Sequence, residues 1–139
     1  MKHVVVDASV VVAALMADGR VRKALLNTPE VAFYAPPQIV AEVRAATSEI
    51  AKRSRKPASE VRVLIDDVLS RLILVPMELL AAAAERAASL AKAADALDDA
   101  PYVACALVVK APVWTLDKDF ERMKDVQTLK TSAFFPPNA

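Results

Sequence analysis

The sequence predicts an α/β protein: a three-layer α/β/α sandwich around a central, mostly parallel sheet of four or five strands. Two observations carry this prediction. Short β-branched runs alternate with helical segments from one end of the chain to the other, the pattern that implies parallel pairing with helices on both faces. The 139 residues, 55% hydrophobic and 25% charged, suit a single domain over residues 1–139 with a core large enough to stand without staples. A single Gly against nine Pro adds that the loops are short and stiff, and it removes any phosphate cradle built from several glycines.

The first strand covers residues 3–6 and delivers Asp7 at its end. Residues 8–17 follow as a helix broken by Gly19, and 21–26 form a second, stopped at Asn27-Thr28-Pro29. Val31–Ala35 is the second strand, bounded by Pro36 and Pro37. Pro37 suits the first turn of a helix over 38–52. Pro57-Ala58-Ser59 separates that helix from the next, 60–69. Residues 72–75 make a third strand closed by Pro76, and the Ala- and Leu-rich stretch 77–93 is helical by propensity. Leu97-Asp98-Asp99 opens the helix Ala100–Val109, with acids at the end the helix dipole favours. Residues 113–115 form a fourth strand, 116–123 a short helix, 126–129 a fifth strand and 134–139 an irregular tail.

Cys105 is alone, which excludes an intrachain disulfide and fits a reducing, cytoplasmic setting; its apolar helix makes it a buried small side chain. The N-terminus lacks the charged-then-apolar layout of a signal peptide, and the apolar run 10–16 is shorter than the about 20 residues that span a bilayer. No membrane partner is expected. Net charge is +1, so the sum does not announce a nucleic-acid binder. Its distribution is uneven: Lys52, Arg53, Arg55 and Lys56 cluster, while several acids sit singly among apolar residues. The basic run reads equally as a phosphate contact or as a solvated helix end favoured by the dipole.

In open parallel sheets functional groups gather at the carboxyl ends of strands. Asp7 follows a strand directly, Asp117 lies two residues past the fourth, Glu42 rides the first turns after the second, and Asp99 starts a helix. Each has a bland reading as turn former, N-cap or dipole partner. Four together are costly unless a cation neutralises them, and an all-oxygen donor set selects Mg²⁺ or Mn²⁺ over zinc. The one histidine, His3, falls at the opposite end of its strand from Asp7, which disfavours histidine acid–base catalysis.

These residues resemble the PIN domain family. Val4-Val5-Val6-Asp7-Ala8-Ser9 looks like its opening block, and Ala35-Pro36-Pro37-Gln38-Ile39-Val40-Ala41-Glu42 its second. Asp99-Ala100-Pro101-Tyr102-Val103-Ala104-Cys105-Ala106 is similar to the third, and Trp114-Thr115-Leu116-Asp117-Lys118-Asp119-Phe120 to the fourth. The resemblance implies a PIN-like fold and a metal-dependent endoribonuclease holding one or two Mg²⁺ or Mn²⁺ ions. It makes Asp7, Glu42, Asp99 and Asp117 the acidic quartet. Asp119 would be an outer ligand, with Ser9, Thr115 and Asp98 in support. Ala104 and Ala106 fit the family register and favour Asp99 over Asp98. Many members are toxins of VapC-type toxin–antitoxin pairs, so an antitoxin partner is implied; the Asn often found three residues after the Glu in toxins is Ala45 here. RNA is the substrate by resemblance alone. Lys118, Arg122 and Lys124 follow Asp117 and would steer its backbone. A homodimer is expected from the family and from the apolar surplus of helices 21–26 and 60–69.

The rival from another class is a PIN-like module that binds nucleic acid or protein without cleaving. An Asp-nucleophile phosphatase fits less well, because Asp7-Ala8-Ser9 lacks the second Asp two residues on.

Overall fold

The computed structural model describes residues 2–137 and is built around strand β1, Lys2–Val6. Val4, Val5 and Val6 are buried on both faces, which is why this strand reads as an unbroken Val run rather than an alternating one. On one side it pairs with β2 (Val31–Ala35), which pairs with β3 (Ile73–Leu74). On the other it pairs with β4 (Val113–Trp114), which pairs with β5 (Thr128–Leu129). The order β3-β2-β1-β4-β5 is parallel throughout, with Val4 opposite Phe33 and Val6 opposite Trp114.

That order sets the place of any site. The chain winds outward from β1 through β2 to β3, then returns to β1's other flank for β4. Winding reverses between β1 and β4, and crevices at such switch points open at the carboxyl ends of the strands. Asp7 and Thr115 follow those two ends immediately.

Helices cover both faces, as the sandwich requires. One group comprises α1 (Ala8–Met16), α2 (Arg20–Leu26), α3 (Gln38–Ala45), α4 (Thr47–Ser54) and α5 (Ala58–Ser70), all packed around α1. The other comprises α6 (Met77–Leu80), α7 (Ala84–Ala93) and α8 (Ala100–Val109), and α8 lies on β1, β2 and β4. Trp114, Tyr102, Phe120, Ile39, Ile50 and Ile65 are the largest fully enclosed side chains. Truncating Ile65 to Ala would cost about 2–5 kcal/mol through lost burial and the cavity left behind. Cys105 is enclosed by the same core, and burial pushes its thiol up to about 12.

Several boundaries differ from the sequence expectation, each for a local reason. The helix expected over 38–52 breaks at Ala46: the Thr47 hydroxyl donates to the Arg44 carbonyl at 2.6 Å and the Ala46 N–H reaches back to Val43, so a second helix starts at Thr47. The stretch 77–93 is divided by a 3-10 turn at Ala81–Ala83. Helix propensity alone fixes no single axis through an all-alanine run. Residues 116–123 give a 3-10 turn, Lys118–Arg122, instead of an α-helix, with Asp117 capping its start by accepting from the Asp119 N–H. The fifth strand shortens to Thr128–Leu129 behind Asp125, whose φ of 63° is not a strand geometry. The expected irregular tail begins within a 3-10 turn, Thr131–Phe134, and its last two residues, Asn138 and Ala139, fall outside the described residues. No helix among the described residues is long and apolar enough to cross a membrane.

Candidate metal centre

Asp7 has the backbone of the N-cap of α1 but makes no side-chain cap bond, so helix capping does not account for it. Its carboxylate is turned into the molecule instead. Asp7 and Thr115 are the two buried polar residues among the described residues, at 6% and 9% exposure. Asp7 Oδ2 accepts from the Ser9 hydroxyl and from the Thr115 hydroxyl, both at 2.8 Å. The two hydroxyls are held in turn: Ser9 Oγ accepts from the Leu116 N–H at 3.2 Å and Thr115 Oγ1 from the Asp117 N–H at 2.9 Å. Asp117 Oδ1 then accepts from the Asp119 N–H at 2.9 Å. A continuous run of hydrogen bonds thus joins the end of β1 to the loop after β4.

Asp99 arrives from the opposite face, at the turn that opens α8. Ligand-capable oxygens of Asp99, Asp117 and Asp119 lie within 4.8 Å of one another. Burial pushes Asp99 up to about 7, and the charges of Asp7, Asp117, Asp119 and Glu42 add to the shift. Asp7 is also raised by burial, opposed by the Ser9 and Thr115 bonds and reinforced by Asp117. Glu42, on the second turn of α3, is raised by burial and by Asp7 and Asp98, with its Tyr102 bond opposing. Of the expected quartet, Asp99 and Asp117 stand in the tight group of three with Asp119, and Asp7 and Glu42 stand outside it, though their charges act on Asp99.

The donor chemistry fits a hard divalent cation: carboxylates only, close enough to share an ion, with no His or Cys among them. Asp98 is exposed and absent from the group; its charge adds to the rise of Glu42. Asp119 was expected as an outer ligand, and its oxygen reaches the group while Oδ1 accepts from Arg122 Nη2 at 2.6 Å.

Two residues take parts the sequence did not assign. Tyr102, one helical turn after Asp99 on α8, donates its hydroxyl to Glu42 Oε2 at 3.2 Å, and its neighbouring carboxylates push its own pKa up after burial has done so. The signal for it was a lone phenol inside the apolar helix that follows Asp99. Arg122, read as a steering cation, instead clamps Asp119 and the Ala94 carbonyl at 3.0 Å, tying the loop to the end of α7. Lys118 is exposed beside Asp117. In the basic run, Arg53 pairs with Glu49 at 3.2 Å and Lys56 with Glu60 at 3.4 Å, and Lys52 sits in the last turn of α4 with Arg55 just beyond it. Two of the four therefore already have carboxylate partners. His3 bonds the Tyr34 hydroxyl at 2.8 Å at the opposite end of β1, remote from the acids.

The parallel sheet, its switch point and the carboxylates near it define an α/β/α protein with a candidate site for a divalent cation. The chain belongs to the PIN domain family, whose model matches residues 5–133 and so spans all four acidic blocks. PIN domains are generally nucleases that act on nucleic acid with divalent metals. Among solved structures it is similar to the crystal structure of PAE2754 from Pyrobaculum aerophilum, with a TM-score of 0.64 and 18% identity over 95% of this chain and 85% of that one, a likeness of fold. No curated protein matches the chain.

Proposed function

We propose that this chain, acting as one domain, is an endoribonuclease that hydrolyses RNA phosphodiester bonds with one or two Mg²⁺ or Mn²⁺ ions. Asp7, Glu42, Asp99 and Asp117 are its acidic quartet and Asp119 an additional ligand. The observation that carries this reading is the close group of Asp99, Asp117 and Asp119, with the buried Asp7 joined to the Asp117 loop through the Thr115 hydroxyl at the β1/β4 switch point. A bound divalent ion would activate water and offset charge on the phosphate. Ser9 and Thr115 fix one oxygen of Asp7 and so set the direction of the other. Tyr102 restrains Glu42 in the same way. Lys118 offers a cation to the phosphate backbone, with no carboxylate within ion-pair distance among the described residues.

The alternative is a PIN-like module that binds nucleic acid or protein without cleaving; the close group of Asp99, Asp117 and Asp119 favours the nuclease over it. The toxin role, with an antitoxin partner, rests on family resemblance, and the homodimer on that and on the apolar surplus of helices 21–26 and 60–69. Co-purification with the product of a neighbouring reading frame and light scattering test them.

The decisive assay incubates purified protein with single-stranded and structured RNA under Mg²⁺, Mn²⁺ or EDTA. Cleavage is expected with either metal and abolished by EDTA. Protein inert under every metal, or an Asp7→Asn variant cleaving as well as wild type, would sink the proposal.

A further inference from the structure

Beside Asp117 a cleft of about 210 Å³ opens between the loop after β4 and the segment after β5. These strands are parallel neighbours, with Trp114 opposite Leu129, so the cleft lies at the same carboxyl edge as the acids, and it shares Thr115 and Asp117 with them. Its volume is below the roughly 300–1,000 Å³ of pockets that enclose drug-sized ligands. That size favours a single base with its sugar over a longer stretch of chain.

The walls have a mixed chemistry. Leu116, half exposed, and Leu129 offer apolar surface, while Lys118 and Lys130 are exposed at the rim. Among the described residues neither lysine has a carboxylate within ion-pair distance, whereas Arg122 in the same loop is consumed by Asp119. Both walls are also fixed from behind. Leu116 donates its N–H to Ser9, and Thr131 Oγ1 accepts from Trp114 Nε1 at 3.1 Å, which leaves the threonine hydroxyl hydrogen available. Glu121 adds one carboxylate to the lining. Carboxylates repel phosphate and accept from an exocyclic amine.

We propose that this cleft is a nucleotide subsite next to the metal centre. Leu116 and Leu129 sandwich the base and ribose flanking the scissile phosphate, Lys118 and Lys130 hold the adjoining phosphates, and Glu121 favours a base bearing an amino group. The inference rests on the nuclease reading for its substrate, but its test does not need cleavage. Trp114 is the sole tryptophan of the chain and is bonded to a residue of the cleft, so its emission reports on occupancy.

The experiment titrates CMP, UMP and inorganic phosphate into wild-type protein in EDTA and follows Trp114 fluorescence. CMP is expected to give a saturable change, UMP a several-fold weaker one, and phosphate none of comparable size. Glu121→Gln should level CMP and UMP, and Leu116→Asp should weaken CMP about tenfold. Binding of a single-stranded RNA in EDTA should lose about 0.7 from its slope of log affinity against log salt in Lys130→Ala, the loss of one phosphate contact. In metal, the same variant should raise KM rather than lower kcat. No saturable response to CMP, an equal response to phosphate, or an unchanged salt slope in Lys130→Ala overturns the subsite. Metal-dependent cleavage alongside those failures would leave the nuclease reading standing. Nucleotide binding without any cleavage would uphold the subsite and defeat that reading.

Discussion

The two halves of the acidic centre are built differently. Asp7 stands on the central strand, enclosed, with two hydroxyls on one oxygen and a backbone N–H holding each hydroxyl. Glu42 stands on a helix, exposed, with one phenol as its only side-chain bond among the described residues. The strand-borne half is preorganised by the sheet itself. The helix-borne half depends on the placement of α3 relative to α8, and among the described residues the Tyr102–Glu42 bond is the side-chain tie between these helices. Outer partners of metal ligands typically carry about 10–100-fold in affinity or activity, and the difference in their number predicts unequal sensitivity.

The largest effect belongs to Asp7→Asn. RNA cleavage should fall by more than about 100-fold, the upper end for outer partners alone. The metal-free protein should meanwhile gain stability on the order of 1 kcal/mol, because a raised, buried acid is removed. Thermal melts in EDTA and cleavage assays in Mn²⁺ should therefore move in opposite directions. A destabilised variant would mean that Asp7 serves the fold.

Thr115→Val comes next. It removes one hydroxyl from Asp7 and leaves the Asp117 N–H unpaired, so Mn²⁺ affinity by calorimetry should drop about 10–100-fold. Tyr102→Phe should lose less, about tenfold in the same titration, while the melt stays within about 1 kcal/mol. Equal losses in the two variants would erase the contrast between the halves.

Acidity offers a third handle. Without metal, Asp99 is raised from 3.8 to about 7, chiefly by burial. A raised acid supports the fold fully below its unfolded pKa and loses that support as pH climbs through the folded value. The metal-free Tm should thus decline from about pH 4 to about pH 7, on the order of 4 °C. Mn²⁺ should restore it most above that window, and Asp99→Asn should flatten the profile. A Tm rising across the window would reverse the sign. The smallest change is expected from Arg53→Ala with Lys56→Ala. Their exposed pairs with Glu49 and Glu60 are worth under about 1 kcal/mol, and cleavage should stay within about twofold.

Much of this was legible in the sequence. The Val run of β1, the prolines around β2 and β3, and the acids after strand ends reflect local rules that tertiary packing did not override. The break at Ala83 was hidden because an all-alanine run carries no local mark of where its axis turns, and the one at Ala46 because the Thr47 hydroxyl bonds the Arg44 carbonyl only once the chain has turned there. Arg122 was misread for a related reason. A basic residue after an acid looks like a free cation until the fold shows that the Ala94 carbonyl lies within its reach. Tyr102 shows no role in the sequence, since its partner Glu42 is sixty positions away and the two meet only in the folded chain.

Cys105 gives the molecule a clock. Its thiol is wholly enclosed and held near 12, so at neutral pH an alkylating reagent meets almost no thiolate and no path to it while the core stays shut. Modification then counts openings of the core, one event per chain. Comparing alkylation rates with and without Mn²⁺ would show whether loading the rim of the sheet slows the breathing of its centre.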